Sequence, residues 1–289
     1  RPQVARELGL SPACIVSTGG GDNMMSAIGT GNVRPGVVTA SLGTSGTIFA
    51  YADRPVIDRT AGEIAAFCSS TGGWLPLLCV MNCTVSTELV KQAFGLTTDA
   101  LTRLAGTVAA GADGLLLLPY FTGERTPNVP HGYGVWYGMT PRNFTPAHCA
   151  RAAMEGAVLG MNYGLERMRR QRVNPTQIRL TGGGARNALW RQMCADVFNA
   201  ECVTMRSNEA AALGGAIQAL WAFSCQRDGY GPIDALTDRL VKLGAARHAP
   251  DAARVAHYRT IFARQCMLST RLRPVFDQHA LAAHTGVLS

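Results

Sequence analysis

Lysine is almost missing from this chain. Of 27 basic residues among 289, only Lys91 and Lys242 are lysines. Long apolar runs are missing as well. No stretch reaches the roughly 20 apolar residues of a membrane-spanning helix, so no membrane partner is expected. The nine cysteines contain no Cys-x-x-Cys pair and the six histidines show no ligand spacing, so neither a zinc site nor any other protein metal ligand is expected. An odd thiol count without a secretory segment reads as free cysteines in a reducing cytoplasm. There is no Gly-x-Ser-x-Gly elbow and no Walker Gly-x-x-x-x-Gly-Lys, which removes two common hydrolase and nucleotide motifs. The chain opens on Arg1-Pro2-Gln3 without an initiator Met, and this reads as the middle of a longer protein.

What is present suits a well-buried core: 47% of residues are hydrophobic and only 16% are charged. A net charge of +8 could suit nucleic acid. Yet the densest basic cluster, Arg169-Arg170-Gln171-Arg172, has no interleaved aromatics. It falls in the last turn of an expected helix, where cations complement the dipole. No nucleic-acid partner is expected, and a homodimer is left open.

Hydrophobic patterning gives the elements. Val37–Leu42 and Thr47–Tyr51 read as strands of a hairpin around Gly43-Thr44-Ser45-Gly46. Ile64–Cys68 and Trp74–Val80 read as a second strand pair, and Thr84–Phe94 as a helix stopped by Gly95. A buried strand over Leu115–Leu118 precedes an irregular segment, Pro119–Pro141. The longest helix opens on Thr145-Pro146 and places Ala150, Met154, Ala157, Met161, Leu165 and Met168 on one core-facing stripe. Ile178–Leu180 is then a strand, Asn187–Asn199 a helix, Cys202–Met205 a strand, and Glu209–Phe223 a helix rich in small residues. A mixed tail follows, with a helix over Asp251–Leu272 and a loose polar end. Within the irregular segment, Glu124-Arg125 reads as a local ion pair, and His148 as a solvent-facing residue of its helix. A weak boundary falls near Asn32–Gly36, where Gly and Pro interrupt the pattern.

Antiparallel strands followed by alternating helices and strands give the order βββαβαβα. We expect an α/β fold with a mixed sheet flanked by helices; this order resembles the half-unit of the actin-like (ribonuclease H-like) ATPases.

Three glycine-rich tracts carry the chemistry. Asp22 follows Gly19-Gly20-Gly21; a carboxylate there can accept a proton from an attacking hydroxyl, or it is only a turn or cap residue. Asn23 can bond a sugar hydroxyl or cap the helix that starts at Met24. Thr44, flanked by Gly43 and Gly46, offers a hydroxyl where glycines let the backbone approach an anion. Gly182-Gly183-Gly184 follows a strand and opens a helix, a favourable place for phosphate. A dinucleotide fingerprint would want a third spaced glycine where Asn187 stands, so NAD is disfavoured.

As a set these tracts resemble the FGGY carbohydrate kinase family. The matching stretches are Gly19–Gly31, Ser41–Phe49, Leu118–Thr140 and Gly182–Phe198, in the family's order. The resemblance implies two actin-like domains: residues 1–32 would end the first, sugar-binding domain, and residues 33–289 would form the second, nucleotide-binding domain with a helical tail. It implies phosphorylation of a ketopentose such as D-xylulose by ATP with Mg²⁺. Glycerol, gluconate or ribulose as acceptor, and a non-catalytic nucleotide-binding module, are the rivals. Asp22 matches the catalytic base and Asn23 a sugar contact. Gly43, Thr44, Ser45 and Gly46 match the turn that holds the terminal phosphates. Gly182, Gly183 and Gly184 match the loop against the nucleotide, and Asn208 lies near the adenosine. Asp22 is expected at the mouth formed by the 43–46 and 182–184 turns.

Overall fold

The β-branched residues of Val37–Leu42 stiffen the backbone of the first strand, β1. In chain order the others are β2 (Gly46–Ala50), β3 (Ala65–Cys68), β4 (Trp74–Val80), β5 (Leu116–Pro119), β6 (Gly134–Tyr137), β7 (Gln177–Thr181), β8 (Glu201–Met205) and β9 (Leu243–His248). The computed structural model describes residues 1–284. In it, seven strands form one mixed sheet in the order β3-β4-β2-β1-β7-β8-β9, while β5 and β6 pair separately. The β1, β2 and β4 strands are antiparallel neighbours, and β7 and β8 run parallel to β1. The expected α/β order is therefore present, with the expected β3 at one edge and an additional strand, β9, at the other.

Nine helices accompany the strands among the described residues: α1 (Pro2–Glu7), α2 (Asp22–Gly29), α3 (Thr84–Phe94), α4 (Thr98–Gly106), α5 (Pro146–Arg170), α6 (Ala188–Phe198), α7 (Ala210–Asp228), α8 (Asp234–Leu240) and α9 (Ala252–His284). Strand alternation sends Val38, Ala40 and Leu42 into the main core with the α5 residues Met154, Met161 and Leu165. Every residue of the expected α5 stripe is buried. On the other sheet face, Thr39 bonds Thr30 (2.7 Å), and Phe49, Leu75 and Leu77 pack against Ala27 of α2.

Helix α2 lies antiparallel on α7. A Cβ on Gly29 would collide with the Ala210 carbonyl, and one on Gly214 with the Met25 carbonyl, so only glycine permits this approach. Asn32, in the interrupted stretch before β1, is fully buried. Its amide donates to the Phe49 carbonyl (2.8 Å) and its oxygen accepts from the Tyr51 N–H (2.8 Å).

Four expectations need correction. Elements α1, α4, β6, α8 and β9 are additions that the patterning did not give, β6 lying inside the segment expected to be irregular. The last helix is not loose after Leu272 but continues to His284; residues 285–289 lie outside the described part. Pro274 within it costs about 3 kcal/mol. Burial of Leu268 and Phe276 against Leu116, Leu118 and Val129 contributes about 1.5–3 kcal/mol each, which offsets that cost.

His148 does not face solvent. Its ring bonds Asp113 (3.0 Å) and Thr145 (2.8 Å), tying α5 to the loop before β5. Nor do Glu124 and Arg125 form an ion pair. Glu124 is 3% exposed, and its carboxylate accepts from the N–H groups of Met81 (2.7 Å), Asn82 (3.3 Å) and Arg125 (2.8 Å). Burial pushes its carboxyl above the ordinary glutamate value, against the pull of these donors.

The Asp58 carboxylate pins the loop after β2 onto α5. Both its oxygens accept from Arg167 Nη2 at 2.8 Å, and the amides of Ala61 and Glu63 donate to it. Burial opposes its ionisation, but the Arg167, Thr60 and backbone donors outweigh burial and hold the carboxyl well below the usual range. A depressed folded value gives stability that is present above the unfolded value of about 4 and is lost as pH falls below it. Asp58→Asn should therefore lower the urea midpoint at pH 7, and the gap from the parent should close as the pH is taken below about 4. An unchanged gap across that range would remove this role.

Candidate functional site

Three parallel strands, β1, β7 and β8, finish at one edge of the sheet. The loops 43–45, 182–187 and 206–209 leave from that edge. In sheets of this kind, ligands gather at the carboxyl ends of the strands.

The first loop is a tight turn in which the Gly43 N–H donates to the Ser45 carbonyl (3.2 Å). Its Gly43 and Thr44 carbonyls accept from the N–H groups of Thr84 (3.0 Å) and Cys83 (2.9 Å) at the start of α3. With both oxygens committed, Thr44 stands exposed at the tip. The Glu124 carboxylate holds Met81 and Asn82, immediately upstream of those two donors, so it fixes the turn from behind.

The second loop rests on the end of β1. Gly182 has φ +83°, and a Cβ there would lie 2.7 Å from the Leu42 carbonyl oxygen. Gly184 lies flat on the Trp190 ring, where a Cβ would collide. A Cβ on Gly183 would meet nothing within 4 Å, so this residue faces open space. Asn187 caps α6, its Oδ1 accepting from Leu189 N–H (2.9 Å) and Trp190 N–H (3.3 Å), while its Nδ2 donates to Thr102 of α4 (2.8 Å).

Between the loops lies a cleft of about 370 Å³. It brings together Gly43, Thr44, Gly183 and Gly184 of the expected site. The other expected residues do not line it. Ser45 is exposed in the turn, and Gly46 is buried beneath it opposite Val80. Gly182 supports the tract from below, and Asn208 is exposed in the loop after β8 at the same sheet edge.

Asp22 is also outside the lining. It is the exposed first residue of α2, with Gly21 as the cap; its Oδ1 accepts from the Asn23 N–H (2.8 Å) and Asn23 Nδ2 (3.2 Å). The loop before it is held by Gln218, which donates to the Gly19 carbonyl (3.2 Å), and by close approach of Gly20 to Ser70. Ser70 belongs to the turn at the Cys68–Trp74 end of the β3–β4 pair. The Gly43–Ser45 turn lies at the other end, where Gly46 pairs with Val80. The expected meeting of Asp22 with the cleft mouth is thus not made within this chain, because α2 is positioned by its packing across α7.

Several cleft residues escaped the sequence reading. Thr84, Thr87, Glu88 and Lys91 come from α3, and Thr98, Leu101 and Thr102 from α4. The signal for α4 was Thr97-Thr98-Asp99, a capping residue and a first-turn acid; Thr97 Oγ1 does accept from Ala100 N–H (3.2 Å). Lys91, one of the two lysines, pairs with Glu88 at 2.8 Å. Leu101 and Trp190 give the cleft an apolar wall. The threonine hydroxyls and the glycine turns give it donors. That combination can hold a flat heteroaromatic group at one side and an anion at the other.

Asn187→Ala removes a helix cap and the only link described between its side chain and α4. A loss of about 1–2 kcal/mol is expected in urea unfolding. Asn187→Asp, which keeps the acceptor for the two amides, should recover most of it; equal losses would put the effect elsewhere.

Comparison with known proteins agrees with this geometry. Residues 38–223 match the FGGY family of carbohydrate kinases, C-terminal domain. A xylulose kinase from Haemophilus influenzae is 44% identical over 265 residues, covering 91% of this chain and 52% of that protein. A gluconokinase from Bacillus subtilis is 30% identical over 294 residues, covering 96% of this chain and 56% of that protein. The chain therefore spans about half the length of the curated relatives it matches. Among solved structures, a ligand-bound xylulose kinase from Lactobacillus acidophilus superposes with a TM-score of 0.87 over 96% of this chain and 56% of that one; at 23% identity this shows the fold.

Proposed function

Because this chain belongs to the FGGY family of carbohydrate kinases, we propose that the whole protein transfers the terminal phosphoryl group of ATP to a ketopentose, D-xylulose. The observation that carries the reading is the pairing of the Gly43-Thr44 turn with Gly183-Gly184 across one cleft at the carboxyl edge of the sheet. The 44% identity to a xylulose kinase favours the pentose. Gluconate is the second reading, since a gluconokinase is similar over 96% of the chain.

A nucleotide fits the residues present. Gly183 opens onto free space, Trp190 and Leu101 offer an apolar wall, and Thr44 with the turn amides offers donors. We assign the terminal phosphates to Gly43, Thr44, Ser45 and Gly46, and the nucleotide's flank to Gly182, Gly183 and Gly184. Asn208, on the same edge, takes the adenosine side. Mg²⁺ belongs with the ATP as substrate. Among the described residues no group of three or more His, Cys, Asp or Glu is set to hold a metal.

Asp22 is proposed as the base, with Asn23 beside the sugar. The sugar hydroxyl would give its proton to Asp22 as its oxygen bonds the γ-phosphorus, and ADP would leave. Residues 1–32 are assigned to the end of a first domain whose sugar-binding surface faces the cleft. Closure of two such domains would bring Asp22 to the phosphates and shut out water, which otherwise competes as acceptor. Fixed amides and the Thr44 hydroxyl would stabilise the charge on the moving phosphoryl group without reorganising. Among the described residues no helix is long and apolar enough to cross a membrane; we place the protein in the cytoplasm, with sugar and ATP as its partners.

The test uses the full-length protein with ATP and a panel of D-xylulose, D-ribulose, gluconate and glycerol. D-xylulose should give the highest kcat/KM. A higher value for gluconate would replace the pentose reading, and ATP binding without any sugar phosphorylated would replace the kinase by a nucleotide-binding module. Asp22→Ala should lower kcat by about 10²–10⁴-fold with little change in ATP binding. Parent-like turnover in that variant would reject the base.

A further inference from the structure

A second cavity is larger than the nucleotide cleft. It measures about 540 Å³ and lies between the second half of α5, the end of α6 and α9. Helix α6 separates the two spaces: Trp190 near its start lines the cleft, and Val197 near its end lines this cavity.

The wall carries three carboxamides, Asn162, Asn174 and Asn199. Asn162 is 5% exposed, and its Oδ1 is buried without a hydrogen-bond partner. Buried acceptors are normally satisfied, and this one, closed to solvent, is an exception. The wall also carries Arg169 and Arg259. Arg169 is already committed to Glu166 (2.5 Å) and to the Phe198 carbonyl. That pairing neutralises Glu166, the one carboxylate of the lining. Arg259 is exposed and has no hydrogen-bond or ion-pair partner among the described residues. The cavity therefore presents one uncommitted guanidinium, the two exposed carboxamides of Asn174 and Asn199, and the apolar ring of Phe262.

We propose that this cavity is a second binding site, for a small phosphorylated polyol. A guanidinium grips phosphate oxygens through paired N–H donors. Carboxamides match hydroxyl groups, which also give and take hydrogen bonds. An aromatic ring covers the C–H face of a carbon chain or sugar. The volume exceeds what such a ligand needs, leaving room for bridging water. This assignment does not rest on the kinase reading, because no residue of the cavity belongs to the cleft.

The experiment is calorimetric titration of the full-length protein with ribose 5-phosphate, with the cleft filled by a non-hydrolysable ATP analogue. One binding event is expected. Arg259→Met should weaken it about tenfold or more. Because Arg259 is exposed, this variant should keep the parent Tm. Arg259→Lys keeps charge and stem but loses the fork, and it should bind less tightly than the parent. Asp22→Ala should leave the event unchanged. Absence of binding overturns the proposal, as does parent-like affinity in Arg259→Met. Loss of binding in Asp22→Ala would place the probe in the sugar site instead. Equal affinity for inorganic phosphate would reduce the cavity to a plain anion site and overturn its polyol character.

Discussion

The buried carboxylate of Glu124 is the strut on which the cleft depends. It sits in an irregular segment, yet it fixes the corner between β4 and α3 through the amides of Met81 and Asn82. The next two amides, from Cys83 and Thr84, hold the carbonyls of Thr44 and Gly43. A chain of four backbone groups thus runs from one carboxylate to the turn that presents Thr44. A buried carboxylate is costly to desolvate, and it is retained where several donors converge on it. Here the return is positional. The glycines that let the turn approach an anion also give it freedom to move, and the strut removes that freedom.

The same trade appears where α2 meets α7. Gly29 and Gly214 give up side-chain packing so that two backbones can touch. The loop ahead of α2 is then set by α7, through Gln218, rather than by the sheet edge that carries the cleft. Asp22 and the Gly43–Ser45 turn are accordingly positioned by different contacts, the first by α7 and the second by the start of α3. A family fold of two facing domains would use such a division, with each domain holding one reactant.

Much of the fold was legible in the sequence because its core elements carry strong periods. The α5 stripe from Ala150 to Met168 repeats at three and four, and β1, β2 and β4 are rich in apolar and β-branched residues. What escaped lacks such patterns. Helix α4 buries only Leu101 and Ala105, and β9, Leu-Gly-Ala-Ala-Arg-His, has no β-branched residue and owes its conformation to pairing with β8. The end of α9 was hidden by Pro274, and by a narrow apolar side of Leu268, Leu272, Phe276 and the small Ala280 at four-residue spacing. The glycine turns of the site were readable because few backbone conformations demand such runs. The placement of Asp22, the partners of Glu124 and the contribution of α3 and α4 were not, because each is decided by contacts between elements far apart in the chain.

The scarcity of lysine has a practical consequence once the positions are known. Lys91 stands in the cleft wall with its side chain 19% exposed, and Lys242 lies beyond α8 on the surface. Within residues 1–289, side-chain amines thus occur at two addresses only. Within this stretch, replacing Lys242 with arginine, which retains the charge, leaves Lys91 in the cleft wall as the one side-chain amine. An amine-directed fluorophore would leave the arginine-rich surface of this stretch untouched and report from the cleft.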